Sequence, residues 1–314
     1  MRQTRWDLVA AALAVGGLNL GAHCGAATAP PPSPFPTGAD ALDRMKETYA
    51  CANGLQGDGK LDHFGEQGRI RGSVLMLNLN PARVRLDVMS SFNTVVYSLA
   101  SDGDQFQMLD MQEKRFLYGP ATACNLARMT QLEVPGHVLV SLLRGEAPLL
   151  VHPRDAATVA WVDDRFRVTI PSKHDARQVV ELRPHPADRE RPWNEQRVHV
   201  LRVQTFQADV LLYDAQLSDH QLASTAPPRE DEDGIAPDVP PSGGPCDIDI
   251  PRKIRVEVPA TRNDVLFEYE SVALNPPIVE GTFALNETPG TLEQYVTCGQ
   301  EERSSPPAPA PGRR

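Results

Sequence analysis

The stretch that decides the fold is ARVRLDVMSSFNTVVYSLASDGDQFQMLD, residues Ala82–Asp110. Apolar and charged residues alternate at its start, where Val84, Leu86 and Val88 are separated by an arginine and an aspartate. Strict alternation predicts a β-strand with one buried face. Two further apolar runs flank Asp102-Gly103, a dipeptide typical of two-residue hairpin turns. The stretch therefore predicts three antiparallel strands in succession.

The pattern changes after the next strand. A turn at Glu113–Lys114 leads into a strand over Arg115–Tyr118. The spacing of apolar residues then indicates two short helices, Cys124–Thr130 and Val138–Arg144, which are joined through Pro135-Gly136. A helical pair in the middle of a β-rich chain is well placed to cover one face of the sheet.

Outside this region the alternation is again that of strands, apart from one helix near the start. That helix is expected over Ala39–Cys51, with Gly54 ending it, and the β pattern begins at Gly65. The later strands are predicted at Thr158–Val162, Arg165–Ile170, Val179–Leu182, Val198–Gln204, Val210–Tyr213, Ile254–Val258 and Val265–Tyr269. The predicted fold class is mainly β (α+β), with about ten or eleven antiparallel strands in a sheet that curls and a short helical lid.

The N-terminal residues 1–27 are typical of a signal peptide. Two arginines precede the apolar run Leu8–Leu18, which is too short to span a membrane stably. Two processing routes fit the residues that follow. Cys24 stands where a lipidated cysteine would stand, although His23 before it is larger than usual, and cleavage near Ala26 would discard the cysteine.

Composition divides the rest of the chain into a tether, a domain and a tail. Residues 28–37 are rich in proline and are predicted to form a semi-rigid spacer. Residues 38–300 form the domain, which includes an acidic, proline-rich loop over 224–248. Residues 301–314 are charged and then rich in proline, and are expected to be a disordered tail.

The cysteines favour an oxidising compartment. The chain has five, and lipidation or removal of Cys24 leaves Cys51, Cys124, Cys246 and Cys298. Four cysteines in an exported protein predict two disulfides, for which three connectivities exist. We expect Cys51–Cys124 and Cys246–Cys298, because each pair then lies within one half of the chain.

Charge and motifs exclude several classes of function. The net charge of −10 argues against nucleic-acid binding, which needs a basic surface. The eight histidines show no metal-binding spacing, and no nucleophile, nucleotide-binding or zinc motif is present. We therefore expect no enzyme activity, no cofactor, no metal site and surface positions for the histidines.

Four segments resemble the LolA/LolB group of lipoprotein carriers, and more closely LolB and its outer-membrane relatives. The resemblance extends over Arg69–Leu150, where Ala82–Asp110, Arg115–Thr122 and Met129–Gly145 carry it, and returns in the final segment Asp264–Phe283. The resemblance implies a half-barrel closed by a helical lid, with a hydrophobic cavity that takes the acyl chains of lipoproteins.

Periodicity selects the residues that would line such a cavity. They are Val84, Leu86, Val88, Val96, Phe106 and Met108 on the strands, with Leu139, Leu142 and Leu143 on the lid. The alternative for all nine is an ordinary packed core.

The resemblance also implies a role for the loop between two early strands. In LolB-like proteins a leucine protrudes from this loop and helps to insert lipoproteins into the membrane. Phe92 occupies the matching place here. The alternative is that Phe92 packs into the core or against the lid.

The sequence thus predicts an envelope lipoprotein that binds acyl chains and takes part in lipoprotein or other lipid transfer to the outer membrane. The alternative is a structural or scaffolding lipoprotein of the same fold without carrier activity. The expected partners are acyl chains, a periplasmic carrier protein and the membrane itself, and a monomer is expected. The expected location is the outer membrane facing the periplasm, or the soluble periplasm if Cys24 is not lipidated.

Overall fold

The computed structural model describes residues 29–65, 68–90, 92, 94–226 and 239–298. The predicted signal peptide with Cys24, most of the acidic segment (227–238) and the predicted tail lie outside the described residues. The three helices are α1 (Gly38–Tyr49), α2 (Ala123–Thr130) and α3 (Gly136–Leu143). All three lie within two residues of the bounds that the sequence predicts.

The described strands form one sheet of fourteen strands, more than the ten or eleven predicted. In chain order they are β1 (Gly54–Gly65), β2 (Gly68–Leu79), β3 (Arg83–Met89), β4 (Val95–Ser101), β5 (Gln105–Asp110), β6 (Arg115–Pro120), β7 (Thr158–Val162), β8 (Arg165–Pro171), β9 (Ala176–Pro184), β10 (Val198–Gln207), β11 (Val210–Ser224), β12 (Asp247–Val258), β13 (Asn263–Leu274) and β14 (Leu292–Tyr295). The mainly β prediction is confirmed.

The strand order is β14-β6-β5-β4-β3-β2-β1-β13-β12-β11-β10-β9-β8-β7, an antiparallel meander interrupted at β1–β13. There the first and the last long strands pair side by side. Only β14 pairs in parallel, along β6, among the described strands. The sheet is open and curls, with β14 and β7 at its edges.

One face of the sheet is the inner face. Met76, Leu86, Leu99 and Met108 pair in succession across neighbouring strands and share this face. Leu55 lies on it too, because it pairs with Asn78, two residues after Met76. α1 packs near β7, β8 and β10, whereas α3 packs near β3. Apolar side chains of the inner face and of all three helices form one buried cluster. Because the sheet curls around the helices, distant parts of the chain share a single core.

Local chemistry explains the helix start and the sharp turns. The Thr37 hydroxyl accepts a hydrogen bond from the backbone N–H of Asp40 at 3.1 Å, which caps α1. In the β4–β5 turn the Asp102 carboxylate accepts from the N–H groups of Asp104 and Gln105, and Gly103 has a φ of +104°. The predicted hairpin at Asp102-Gly103 is therefore present, but its turn is longer than two residues, because the last strand pair is Ser101 with Phe106.

The proline-rich residues 29–37 pack on the domain, so they do not form the free spacer that their composition predicts. Phe35 is buried, and its ring lies 4.7 Å from that of Phe166. The Ser33 hydroxyl accepts from the backbone N–H of Trp193 at 3.0 Å. An apolar residue among the prolines thus anchors this stretch to the sheet.

The disulfides are Cys51–Cys246 and Cys124–Cys298, with Cα–Cα distances of 5.3 and 6.0 Å, so the predicted pairing within halves is wrong. The reason lies in the topology. β1 and β12 both flank β13 and begin at the same end of the sheet, which brings Cys51 next to Cys246. Each bond joins the N-terminal half to the C-terminal half.

Loss of the Cys51–Cys246 bond should destabilise the fold substantially. The bond closes a separation of 195 residues, and removal of native disulfides typically costs about 2–4 kcal/mol. We expect Cys51→Ser/Cys246→Ser to lower the free energy of unfolding by about that amount in urea titrations. The wild-type protein unfolded under reducing conditions is the control, and equal stability of variant and oxidised wild type would refute the prediction.

Candidate functional site

The loop between β3 and β4 presents an aromatic side chain to solvent. The backbone N–H of Ser90 donates to the carbonyl of Thr94 at 2.8 Å, and the two hydroxyl oxygens lie 2.7 Å apart. The Ser90 hydroxyl also accepts from the N–H of Phe92 at 3.2 Å. These bonds close the neck of the loop, and the Phe92 side chain at its tip is 87% exposed. Phe92 therefore does not pack into the core or against the lid.

A second exposed aromatic lies at the same end of the sheet. Ser73 of β2 pairs with Met89 of β3, so the β1–β2 hairpin continues alongside the β3–β4 loop. Phe64 near the end of β1 is 44% exposed, and the Arg69 guanidinium lies 4.7 Å from its ring centre. The Arg69 guanidinium in turn donates two hydrogen bonds to Asp62. The end of the sheet that bears Phe92 thus exposes aromatic groups and carries paired charges.

Most predicted cavity residues lie in the core cluster. Seven are buried there, namely Val84, Leu86, Phe106, Met108, Leu139, Leu142 and Leu143. Val88 is partly buried and packs against the same cluster. The strand and lid residues thus meet on the inner face, and their role as liners of a lipid cavity stays a prediction.

Val96 is the exception, because it does not belong to the buried cluster. Val88 of β3 pairs with Tyr97 of β4, whereas the next residue, Met89, pairs with Val95. Val96 is therefore the extra residue of a β-bulge, and alternation along β4 does not decide which face it lies on. Its role as a cavity residue stays a prediction.

The lid is held at both ends. Cys124 in the first turn of α2 is bonded to Cys298, just after β14. At the other end, Arg144 caps α3 and donates to the backbone carbonyl of Ala52 and to Glu146. The Tyr269 hydroxyl donates to the carbonyl of Leu143 at 3.0 Å. The two lid helices are thus attached to the rest of the fold at both ends.

One polar side chain on the inner face has no partner in the described part of the chain. Asn78 is fully buried and pairs across the strands with Leu55 and Val84. Neither its amide nitrogen nor its amide oxygen makes a hydrogen bond to the described residues. A buried amide without partners typically costs about 1–3 kcal/mol, so Asn78 lowers the stability of the core around it.

A groove of about 520 Å³ lies on the outer face of the sheet. Leu75 and Leu77 of β2 contribute apolar walls, and Arg85 lies at one side. The Arg85 guanidinium donates to Asp87 at 3.0 Å and to the carbonyl of Thr282 at 3.2 Å. None of the nine predicted cavity residues lines this groove, so it is distinct from the inner side.

Three histidines that the sequence leaves scattered come together with an aspartate. The Nε2 atoms of His199 and His185 lie 2.9 and 3.1 Å from Oδ2 of Asp249. His220 stacks on His199, with ring centres 4.3 Å apart and planes at 5°. Burial lowers the pKa of His199, and it lowers the pKa of His220 to about 4.

This cluster escapes any search for sequence motifs. His199, His220 and Asp249 lie on β10, β11 and β12, and His185 follows β9 directly, so each group comes from a different neighbouring strand. The expectation that these histidines are ordinary surface residues is wrong, because all three are partly buried. Only the strand order brings them together.

Among the described residues, no helix is both long and apolar enough to cross a membrane.

Neither a protein-family model nor a curated protein sequence matches the chain. It is similar in structure to a DUF1329 family protein from Desulfovibrio piger (TM-score 0.47, 13% identity, 78% of this chain and 95% of that one). It is also similar to a LolA superfamily protein from Nitrosomonas europaea (TM-score 0.46, 8% identity, 79% of this chain and 98% of that one).

A third similar structure is an outer-membrane lipoprotein-sorting protein domain from Vibrio parahaemolyticus (TM-score 0.41, 10% identity, 78% of this chain and 97% of that one). At these identities the likeness concerns the fold. The curled open sheet covered by helices, which the LolA/LolB resemblance predicts, is the fold observed, and the solved structures similar to it include LolA-superfamily and lipoprotein-sorting proteins.

Proposed function

We propose that this chain is a non-enzymatic protein of the cell envelope that binds acyl chains and helps to deliver lipoproteins, or other lipids, to the outer membrane. The observation that carries the proposal is Phe92, a large apolar side chain that is 87% exposed at the tip of a hydrogen-bonded loop. An exposed aromatic ring on a polar loop is suited to enter the interfacial region of a bilayer.

Transfer of an acyl chain also requires an enclosed apolar surface. Each methylene group exposed to water costs about 0.8 kcal/mol, so a full chain cannot travel uncovered. The inner face offers an extended apolar surface beneath a lid of two short helices. In the proposed mechanism α2 and α3 move away from the sheet, and the acyl chain takes the place of their apolar side chains.

Asn78 gives the inner side one polar group that an acylated ligand could use. The ester or amide that links an acyl chain to its carrier molecule has a carbonyl oxygen, and the Asn78 amide nitrogen can donate to it. Such a bond would satisfy an atom that has no partner in the described protein.

The two disulfides support a location outside the cytosol, because such bonds persist in oxidising compartments. In the proposed arrangement lipidated Cys24 anchors the protein to the outer membrane, and a periplasmic carrier hands over the cargo. Without lipidation the protein would be soluble in the periplasm.

A second candidate function is that of a structural or scaffolding protein of the envelope. The observation in its favour is the packing of the inner face, where Leu86, Phe106 and Leu139 are at most 2% exposed and contact the same cluster. A protein whose core is filled by its own side chains needs no ligand to be stable.

Native mass spectrometry of the mature domain, purified from a host that makes lipids, distinguishes the two functions. The carrier function predicts a bound species whose mass equals that of an acyl chain or an acylated molecule. We expect Asn78→Leu to raise the free energy of unfolding, because an unpaired amide is removed, and to reduce the bound fraction. If every preparation is free of lipid and the protein takes up no added fatty acid, the carrier function is refuted and the scaffolding function is supported.

A further inference from the structure

The side chains of His185, His199 and Asp249 point to the same place although they come from different strands. The two imidazole nitrogens lie 2.9 and 3.1 Å from one carboxylate oxygen, and the three ligand atoms lie within 4.8 Å of one another. We infer that these three side chains form a binding site for one divalent transition-metal cation, with Zn²⁺ as the best-suited ion.

The spacing fits the bond lengths of such an ion. Zinc binds histidine nitrogen at about 2.0–2.1 Å and carboxylate oxygen at about 2.0–2.2 Å. Two ligands of a tetrahedral zinc ion are then about 3.3–3.4 Å apart. The two imidazole nitrogens lie 2.9 and 3.1 Å from the Asp249 oxygen, so each separation must open by a few tenths of an ångström to admit the ion.

The chemistry of the ligands selects the class of metal. Imidazole nitrogen suits zinc, copper and nickel, whereas magnesium and calcium prefer sites made of oxygen atoms. Two imidazoles and one carboxylate therefore favour a transition metal. Three protein ligands leave at least one coordination position for water or for a group of a bound molecule.

The surroundings hold two of the ligands in place. His199 and Asp249 sit on strands of the sheet, and the ring of His220 stacks in parallel on that of His199. The Nε2 atom of His220 is buried and has no hydrogen-bond partner in the described part of the chain. A buried polar atom of this kind commonly marks an ordered water or ion nearby.

The nearby arginines have acidic partners, which limits their repulsion of a cation. Arg197 donates to Asp188 at 2.6 Å, and Arg183 lies 3.7 Å from an oxygen of Asp164. Asp249 also interacts with the charge of Arg197, so a bound cation shares its negative charge with this arginine.

Coordination would change the hydrogen bonds of His185 Nδ1. This atom accepts from the backbone N–H of Ala187 at 3.1 Å and from the Arg197 guanidinium at 3.4 Å, which places the ring proton on Nε2. In a neutral imidazole with a metal on Nε2 the proton is on Nδ1, where it would face both donors. Metal binding must therefore break the bonds to Ala187 and Arg197 and rearrange the short turn Pro186–Asp188.

The site does not depend on the proposed carrier function. It lies where β10 and β12 begin, whereas the Phe92 loop lies at the end of the sheet where β12 terminates. Failure of either proposal would leave the other untouched.

Titration of the disulfide-bonded, tag-free mature chain with Zn²⁺ in a calorimeter tests the inference. We expect one ion per chain, no response to Mg²⁺, and binding weakened by more than about 100-fold in His199→Ala and Asp249→Asn, because even loss of an outer-shell partner costs 10- to 100-fold. His137→Ala, which changes an exposed histidine of α3, is the matched control and should bind as the wild type does.

A second measurement covers the case in which a variant fails to fold. In the wild-type chain the NMR signal of the Ala187 amide should shift on addition of Zn²⁺, and the Phe92 amide should not. The inference is overturned if the wild type shows no saturable binding, if His199→Ala and Asp249→Asn fold and bind as the control does, or if the Ala187 signal stays in place at saturation.

Discussion

Replacement of Phe92 by glutamate should weaken binding of the protein to lipid vesicles by roughly 10- to 100-fold. Transfer of a phenylalanine side chain out of water contributes about 1.5–3 kcal/mol, and about 1.4 kcal/mol corresponds to a factor of ten in affinity. A carboxylate at the same place adds a further penalty for entering the bilayer. Because Phe92 is 87% exposed, the free energy of unfolding should change by less than about 0.5 kcal/mol.

The measurement is co-sedimentation with vesicles of phosphatidylcholine, a zwitterionic lipid without net charge that does not repel a chain of net charge −10. Val279→Glu is the matched control, because Val279 is 48% exposed on the segment after β13, away from the Phe92 loop. Transfer of a fluorescent acylated peptide to the vesicles should fall in parallel with binding for Phe92→Glu alone. Equal vesicle binding by Phe92→Glu and Val279→Glu would show that Phe92 takes no part in membrane binding.

Regular alternation made the strands around this loop predictable. The runs that became β3, β4 and β5 place an apolar residue at every second position, and an Asp-Gly turn fixes one register. The same period of two did not reveal on which face Val96 would lie. One extra residue on β4, opposite Val88 and Met89, forms a β-bulge that interrupts the alternation. A β-bulge leaves no clear pattern in a single sequence.

The sequence does not predict β1, because its glycines are required by close contacts with the neighbouring strand β13. A Cβ at Gly59 would clash with the backbone oxygen of Glu268, and one at Gly57 would meet the Tyr269 ring at 3.0 Å. These positions therefore favour glycine, although glycine lowers the strand propensity of the segment. The pattern that predicts a strand here is the strong alternation of apolar and polar residues in the partner strand β13.

The disulfide pairs and the histidine cluster depend on contacts far apart in the sequence. The halves of the chain are not separate units, because β1 pairs with β13 and joins the two halves in one sheet. That pairing places Cys51 beside Cys246, whereas the register of the consecutive strands β9 to β12 brings the histidines together. Local patterns predict strands well but leave such pairings open.

Arg144→Met should be the most destabilising of the single substitutions considered, by about 3–5 kcal/mol. Arg144 is 4% exposed and joins the end of α3 to the Ala52 carbonyl and to Glu146. Burial lowers the pKa of Arg144 and raises that of Glu146, and the opposite charge of each partner offsets part of this effect on the other. Removal of the arginine leaves the largely buried Glu146 carboxylate, whose side chain is 20% exposed, without this partner, which costs up to about this amount.

The double variant Arg144→Met/Glu146→Met separates the loss of a partner from the loss of the pair itself. Replacement of a whole buried ion pair by apolar residues is often neutral, so the double variant should be more stable than Arg144→Met in urea titrations. Because the pair anchors one end of the lid, amide hydrogen exchange in α3 should accelerate in Arg144→Met before global unfolding. A single variant within about 0.5 kcal/mol of the wild type would show that Glu146 is protonated or solvated in the folded protein and that other contacts hold the lid.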